Sequence, residues 1–436
     1  MASENYPQNS ITGRLESAPT MAAFVAVFSS FCVYFCMYAF RKPFAAAGWG
    51  DEMVGGLTLK SALVIGQLLG YTTAKFISIK VCSELRRQHR APFLVGLIVF
   101  AELALLLLAF GSSSWQVVAM FLNGLALGSV WGVVTRYLEG RRTSELLLAG
   151  LSCSFIIASG IVKDVGRWLM TQGVSEAWMP FATGLIFLAP FLFFLWLLDK
   201  IPDPDKKDEL DRNERTPMAR EGRRRFFFEF LPGMVLLLGG YLLLTVYRDY
   251  RDNFGVEIFA GLGYAETPAI FSRSELWVAF GVLATLVTLT LVRDHRRGLI
   301  CSFGLLLLGT TMLGVSVPLF DAGKIDGLQW MVMVGLGAYL AYVPFGSLLF
   351  ERVMAATRFP GTAVFTICLA DAVGYTGSVG MMVGKDLLAG EMEPLVFFRK
   401  MTIWFSIGTT LFFIGGGIYF LRRLRAIPPI PESSAA

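Results

Sequence analysis

The sequence predicts an all-α integral membrane protein, with twelve transmembrane helices arranged as two six-helix halves. Three observations predict this class. Hydrophobic residues make up 55% of the 436 residues and are concentrated in long blocks, whereas only 16% of the residues are charged. Cationic residues collect between alternate blocks, and residue patterns of the first half recur in the second. Soluble domains carry about 25% charged residues, so this composition indicates a membrane protein.

Apolar blocks follow one another along the chain, and each has about the 20 residues that a helix needs to cross a bilayer. A helix satisfies its own backbone hydrogen bonds, so this series of blocks predicts a helical bundle. In chain order the twelve predicted spans are 21–47, 57–80, 91–111, 115–138, 145–170, 178–199, 227–259, 269–292, 298–319, 329–350, 360–389 and 395–421.

The polar segments around these spans divide the chain into five parts. They are an N-terminal tail (1–20), a six-helix half (21–199), a linker (200–226), a second six-helix half (227–421) and a C-terminal tail (422–436). The linker is the longest polar interruption, and it is too short to hold a catalytic domain.

Cationic residues orient the spans, because Lys and Arg accumulate on the cytoplasmic side of membrane proteins. Most of the 38 Lys and Arg residues lie in the tails, the linker and the loops after even-numbered spans, whereas loops after odd-numbered spans carry acidic residues. This bias predicts cytoplasmic N and C termini, and it accounts for the net charge of +5 without a nucleic-acid partner. We expect a multi-pass protein of the bacterial inner (plasma) membrane. The N-terminal tail lacks a short apolar region, so no cleaved signal peptide is expected.

The two halves repeat one another. Tyr34-x6-Arg41 in span 1 matches Tyr241-x6-Arg248 in span 7, at an offset of 207 residues. Further matches after span 2 and at both ends of span 4 keep the same order at offsets of 210 to 213 residues. This pattern resembles the major facilitator fold, in which the substrate site lies near mid-membrane between two six-helix halves. A site of that kind is complete within one chain, so a monomer is expected to be functional.

Composition argues against several enzyme classes. The chain has only two histidines, His89 and His295, and its six cysteines show no metal-binding spacing. No Gly-rich phosphate-binding loop is present in the sequence. We therefore expect a protein that is not an enzyme and that holds neither a cofactor nor a metal.

Charged residues inside apolar spans are candidate functional residues, because each costs about 2.5–3.5 kcal/mol on insertion scales. Arg41 shares a helical face with Tyr34 and Tyr38, and Lys75 lies one turn beyond Tyr71. Each cation therefore lies beside hydroxyl groups that can hydrogen-bond a ligand. Alternatively, Lys75 pairs with a carbonyl at a helix end.

Arg248 repeats the arrangement in span 7, where it shares a face with Tyr241 and Thr245. Two guanidinium groups that face each other in a cavity of low dielectric repel unless an anion lies between them. A phosphate or carboxylate fits, because each planar guanidinium donates two charge-assisted hydrogen bonds. The alternative is that Arg41 and Arg248 extend toward water from the outer ends of their helices.

Asp371 and two Lys-Asp pairs are candidates for coupling or gating. Asp371 lies about ten residues into span 11, where a carboxylate can carry a proton or neutralise a cation. Lys163-Asp164 and Lys385-Asp386 recur near the outer ends of spans 5 and 11. Each pair is predicted to be a structural ion pair, a gate or a substrate contact.

Charges also flank the loops after spans 2 and 8. Glu84 and Arg87 belong to the first loop, and Asp294 and Arg297 belong to the second. They resemble degenerate forms of the charged gating loop of the major facilitator superfamily. The resemblance implies that they close the cytoplasmic face in one state of the transport cycle.

Several segments resemble the organophosphate:phosphate antiporters of this superfamily, which exchange glycerol 3-phosphate or hexose phosphates. The similar segments are Tyr34-x3-Tyr38-x2-Arg41-Lys42-x-Phe44-Ala45, Tyr71-x3-Lys75-Phe76, Tyr241-x6-Arg248, Gly361-Thr362-Ala363 and Gly374-Tyr375-Thr376-Gly377-Ser378. The resemblance covers most of the chain. It implies that Arg41 and Arg248 bind phosphate, that Lys75 is a cavity lysine and that Tyr375 lines the site.

The sequence also departs from that family. Span 5 lacks the family's substrate histidine, Thr245 replaces an expected tyrosine, and Arg248-Asp249-x-Arg251-Asp252 carries more charge than is usual. The resemblance therefore implies an anion transporter without specifying the anion.

Three functional hypotheses follow. The first is a secondary active transporter of an organic anion, phosphorylated and exchanged for inorganic phosphate or another anion, in which Arg41, Arg248 and Lys75 supply positive charge. Tyr34, Tyr38, Tyr71 and Tyr375 then hydrogen-bond the rest of the substrate. The second is a proton-coupled carrier of a carboxylate metabolite or siderophore, in which Asp371 titrates. The third is a transporter-like membrane sensor that signals through its linker.

Overall fold

The computed structural model describes residues 12, 15, 18–138, 144–202, 220–290, 292, 294–357, 364–388 and 392–425. Its first-half helices are α1 (Pro19–Tyr38), α2 (Leu59–Glu84), α3 (Arg87–Phe110), α4 (Ser113–Leu127), α5 (Val130–Thr135), α6 (Ser144–Thr171) and α7 (Met179–Asp199). The second half follows with α8 (Arg220–Glu229), α9 (Leu231–Asn253), α10 (Gly255–Gly261), α11 (Ile270–Thr290), α12 (His295–Asp321), α13 (Gly327–Ser347), α14 (Leu349–Thr357), α15 (Val364–Leu388) and α16 (Pro394–Arg425). A 3-10 helix (Pro43–Ala46) and the antiparallel strands β1 (Met53–Val54) and β2 (Leu57–Thr58) lie between α1 and α2.

The helices correspond to the predicted spans. Within the described residues, nine helices are long and apolar enough to cross a membrane. The helices α2, α6 and α15, with 26, 28 and 25 residues, are also long enough and complete the series of twelve. These three carry most of the charged residues that the sequence places inside spans.

The predicted continuous helix 21–47 is wrong. Helix α1 ends at Tyr38, and the chain turns before the 3-10 helix that begins at Pro43. Proline lacks an N–H group, and its ring clashes with the carbonyl group four residues earlier, so a helix ends upstream of it. The predicted span 227–259 is also interrupted, because α9 ends at Asn253 and α10 begins at Gly255. Arg41 therefore lies on a turn, whereas Arg248 lies on a helix.

Among the described residues, the halves contact each other mainly through two helix pairs. Helix α2 packs against α15, and α6 packs against α11. Within the halves, α2 packs against α4, and α9 packs against α15 and α16. Large apolar side chains such as Trp277, Phe280 and Trp404 are exposed on the outside of the bundle, where a bilayer would cover them. The interface between the halves therefore lies mainly along α2, α6, α11 and α15.

Small residues allow α2 and α4 to approach closely. A Cβ atom added to Gly66 would lie 2.8 Å from the carbonyl oxygen of Val117, and one added to Gly128 would lie 2.6 Å from that of Tyr71. Cβ atoms added to Gly70 and Gly124 would lie even closer to the backbone of Phe121 and Gln67, respectively. Glycines at such contacts let membrane helices pack backbone against backbone. This contact positions α2, which carries Tyr71 and Lys75.

We predict that Gly124→Ala destabilises the protein, because the added methyl group meets backbone that cannot rotate away. Overpacking of this kind costs roughly 1–3 kcal/mol. The midpoint of thermal unfolding in detergent is expected to fall. Gly96→Ala is the matched control, since nothing lies within 4 Å of a Cβ atom at that position. Equal midpoints for the two variants would contradict the prediction.

Candidate anion-binding cavity

A cavity of about 110 Å³ lies between the two halves. Its wall includes residues of α1, α2, α5 and α6 from the first half and of α9, α13 and α15 from the second. All seven residues predicted to bind substrate line it, together with Asp371; they are Arg41, Arg248, Lys75, Tyr34, Tyr38, Tyr71 and Tyr375. The structure thus brings these residues together, and their role in binding stays a prediction.

Arg41 differs from the other charged residues of the cavity in its partners. Its side chain is buried, with a residue exposure of 6%, and its guanidinium carbon lies 4.1 Å above the centre of the Tyr71 ring. Among the residues that the structure describes, no hydrogen-bond acceptor contacts its Nε atom and no carboxylate pairs with it. Aromatic faces compensate a buried cation only in part. Arg41 therefore offers a desolvated positive charge that an anion can neutralise.

Two buried amides hold the backbone around Arg41. Because α1 has ended, the carbonyl groups of Phe40 and Arg41 lack helical partners. Asn123 donates from Nδ2 to the oxygen of Phe40 at 2.9 Å, and Gln67 donates from Nε2 to the oxygen of Arg41 at 2.9 Å. Gln67 also donates to Oδ1 of Asn123 at 2.9 Å, so the two amides form one network. This network fixes the turn that carries Arg41.

Arg248 differs from Arg41 in having a carboxylate partner. Its Nη2 atom donates to Oδ1 of Asp249 at 2.8 Å, and its guanidinium carbon lies 4.1 Å above the centre of the Tyr342 ring. The other carboxylate oxygen of Asp249 accepts a hydrogen bond from Ser378 at 2.7 Å. The two arginines are therefore electrostatically unequal, although the sequence pattern around them repeats.

Lys75 and Asp371 form an ion pair that joins the halves. Lys75 Nζ lies 3.4 Å from Asp371 Oδ2, and the Tyr241 hydroxyl donates to Asp371 Oδ1 at 2.7 Å. The Tyr241 hydroxyl also lies 3.0 Å from the Tyr342 hydroxyl. Of the two expectations for Asp371, neutralisation of a cation is the one seen in this geometry, and proton transfer stays a prediction.

The expectation that Lys163 and Asp164 form an ion pair with each other is wrong, and their role in coupling or gating stays a prediction. Lys163 pairs with Asp252 of the other half at 2.6 Å, and Asp252 also forms a close ion pair with Lys42. Asp164 instead accepts hydrogen bonds from the backbone N–H groups of Ser272, at 2.7 Å, and of Phe271, at the start of α11. Both side chains thus contact the second half and not each other.

Lys385 and Asp386 do contact each other, at 2.6 Å. Asp386 also accepts a hydrogen bond from the backbone N–H of Thr58 at 2.8 Å, which links α15 to β2 of the first half. Lys60 and Glu257 make a further ion pair between the halves at 2.5 Å. These contacts join the halves at the end of the bundle predicted to be outer. A gating role for them stays a prediction.

Of the charges expected to close the cytoplasmic face, Arg87 and Asp294 have hydrogen-bond partners. Arg87 donates to the carbonyl of Ile201, and Asp294 accepts from the backbone N–H of Arg297 at 2.6 Å, which caps α12. Glu84 is the last residue of α2, and its side chain lies outside the described part of the structure. The gating role of all four residues stays a prediction.

Sequence reasoning missed Asn123, Asp249 and Asp252 as site residues. Asn123 is an uncharged polar residue, so the search for charges inside spans passed over it. The extra charge after Arg248 was a signal for Asp249 and Asp252, but Lys42 and Lys163, the partners of Asp252, belong to the other half.

Residues 43–423 match the family described as "Family of unknown function (DUF5690)". The chain belongs to this family. No curated protein matches the sequence.

Solved structures do match the fold. One is the crystal structure of a D-xylose–proton symporter, with a TM-score of 0.58 and 13% sequence identity, over 94% of this chain and 98% of that one. This likeness shows the major facilitator fold and confirms the predicted fold class. By its title, the matched structure is that of a transporter.

We predict that Asn123→Leu lowers the midpoint of thermal unfolding, because it leaves the carbonyl of Phe40 without its amide donor. A buried polar group left unsatisfied costs roughly 1–3 kcal/mol. Gln116→Leu is the matched control, since this buried amide donates one longer bond of 3.2 Å to Leu108, away from the cavity. A smaller loss in Asn123→Leu than in Gln116→Leu would contradict the importance of the network.

Proposed function

We propose that the chain is a secondary active transporter that moves an organic anion across the membrane by alternating access. The observation that carries the proposal is the buried guanidinium of Arg41, which borders the cavity between the halves without a carboxylate partner among the described residues. In a membrane interior such a cation is costly unless an anion joins it. A bound anion supplies the missing charge.

The anionic group of the substrate binds Arg41 first. Arg248 then binds the same group after its ion pair with Asp249 breaks. The carboxylate of Asp249 keeps its hydrogen bond from Ser378 when this happens. Lys75 adds positive charge, and the hydroxyl groups of Tyr34, Tyr38, Tyr71 and Tyr375 bind the remaining polar atoms. Each guanidinium can donate two charge-assisted hydrogen bonds to phosphate or carboxylate.

The substrate is phosphorylated, and it exchanges for inorganic phosphate or another anion. The resemblance of spans 1, 2, 7 and 11 to the organophosphate:phosphate antiporters supports this form of the proposal. The cavity also supports exchange, because Arg41 has no counter-charge when the cavity is empty. The empty transporter is therefore hindered from switching back to its other orientation without a substrate. The bacterial inner membrane is the proposed location, and one chain suffices because both halves of the site belong to it.

The test is phosphate flux into vesicles that contain the purified protein, with and without internal phosphate. Arg41→Gln and Arg248→Gln are expected to lower the flux by roughly 10–100-fold, because each removes charge-assisted hydrogen bonds worth about 1.5–3 kcal/mol. Arg399→Gln is the matched control, since Arg399 pairs with Asp321 outside the cavity. Flux that needs no internal phosphate would exclude exchange, and undiminished flux in Arg41→Gln would exclude the binding site.

A second candidate is a proton-coupled carrier of a carboxylate metabolite or siderophore. It is favoured by the position of Asp371, whose carboxylate borders the cavity and contacts Lys75 and Tyr241. Protonation of Asp371 would release Lys75 and so couple a proton to the contact between α2 and α15. The D-xylose–proton symporter that shares the fold is itself proton-coupled by its title.

Asp371→Asn separates the two candidates. Under proton coupling, this variant loses uptake driven by a pH gradient but keeps exchange of substrate across the membrane at equal pH. Under anion exchange, a pH gradient drives no uptake in either form, and phosphate exchange continues in the variant. Uptake driven by a pH gradient and exchange at equal pH are measured in the same vesicles, and the imposed pH gradient is the only difference between the two measurements.

A further inference from the structure

We propose that the transported anion carries a flat aromatic ring, which packs against an aromatic wall of the cavity while the anionic group binds Arg41. This inference rests on the proposed function, and it specifies the class of substrate. The wall consists of Tyr34, Trp131, Phe155 and Tyr339, and all four border the cavity.

The wall is continuous from one half to the other. The ring centres of Tyr34 and Trp131 are 4.9 Å apart, those of Trp131 and Phe155 are 6.5 Å apart, and those of Phe155 and Tyr339 are 6.1 Å apart. These separations are typical of aromatic pairs in edge-to-face or tilted arrangements. The first three residues belong to the first half, and Tyr339 belongs to the second. A ring that packs here therefore contacts both halves at once.

The central members of the wall are incompletely covered. Trp131 and Phe155 are only half-buried although they lie inside the bundle, and the space they border is the cavity. Aromatic residues that serve packing alone look different in this protein. Trp330 and Phe398 also pair edge to face, with ring centres 5.5 Å apart, but both have no exposed surface. The open faces of Trp131 and Phe155 are thus available to a ligand.

The wall begins next to the anion site. The rings of Tyr34 and Tyr38 are 5.7 Å apart, and the guanidinium of Arg41 lies 5.7 Å from the centre of the Tyr38 ring. An anion bound to Arg41 therefore has the wall within reach of its neighbouring atoms.

The experiment measures binding to the purified protein in detergent by titration calorimetry. The probes are two matched pairs, methyl phosphate with phenyl phosphate and acetate with phenylacetate. In at least one pair the ring-bearing probe is expected to bind about tenfold more tightly, because stacking adds to the burial of the ring. Trp131→Leu and Phe155→Leu are expected to reduce that ratio to about threefold or less. Arg41→Gln is expected to weaken both members of the pair by the same factor.

Two controls separate the wall from general effects. Trp168→Leu removes an indole on the exposed side of α6 and is expected to leave both affinities unchanged. Trp131→Phe keeps a ring in the wall and is expected to retain most of the preference, which guards against misfolding of the leucine variant.

If the two probes of each pair bind with equal affinity, and Arg41→Gln still weakens both, the proposal of an aromatic ring is overturned. The proposed function then stays intact. A ring preference that persists in both wall variants would overturn the placement on the wall. No binding of any probe would count against the proposed function, and this inference would fail with it.

Discussion

A bilayer offers no water to a backbone carbonyl, and this constraint governs the candidate site. Helix α1 ends at Tyr38, ahead of Pro43, inside a span that the sequence predicts to be continuous. The carbonyl groups that the break sets free need donors, and Gln67 and Asn123 supply them from α2 and α4. The close approach of α2 and α4 at Gly70 and Gly124 brings those amides into place. The position of Arg41 thus depends on a packing contact between two other helices.

The repeat between the halves explains both the similarity and the inequality of the two arginines. At the offset of 207 residues, Lys42 corresponds to Asp249, and Pro43 corresponds to Tyr250. A carboxylate therefore follows Arg248 and neutralises it, whereas a lysine follows Arg41. The proline that breaks α1 also has no counterpart in α9, so Arg248 stays on a continuous helix. Two substitutions within the repeated pattern leave one arginine compensated and the other open to an anion.

Patterns along the sequence predicted the twelve spans and eight residues of the cavity wall, because these depend on residue type and on spacing within single helices. Arg41, Lys75 and Asp371 could be singled out since a charge inside an apolar span is costly wherever its partner lies. The partners themselves depend on distances between helices, which spacing does not encode. Lys163 thus reaches Asp252, while its sequence neighbour Asp164 caps α11. The break in α1 was missed because its apolar residues continue past Pro43 to Ala47.

The single carboxylate of Asp252 holds two lysines of the opposite half, Lys42 and Lys163. Parting the halves at that end moves the carboxylate away and leaves two ammonium groups facing the opening. A concave mouth lined with one sign of charge concentrates ions of the other sign and speeds their arrival. Under the proposed function, breaking the contact that fastens the two halves would expose two cationic groups that attract anions from the surrounding water. Because mobile ions screen such a field over about 8–10 Å at physiological ionic strength, added salt would lower the rate of anion capture.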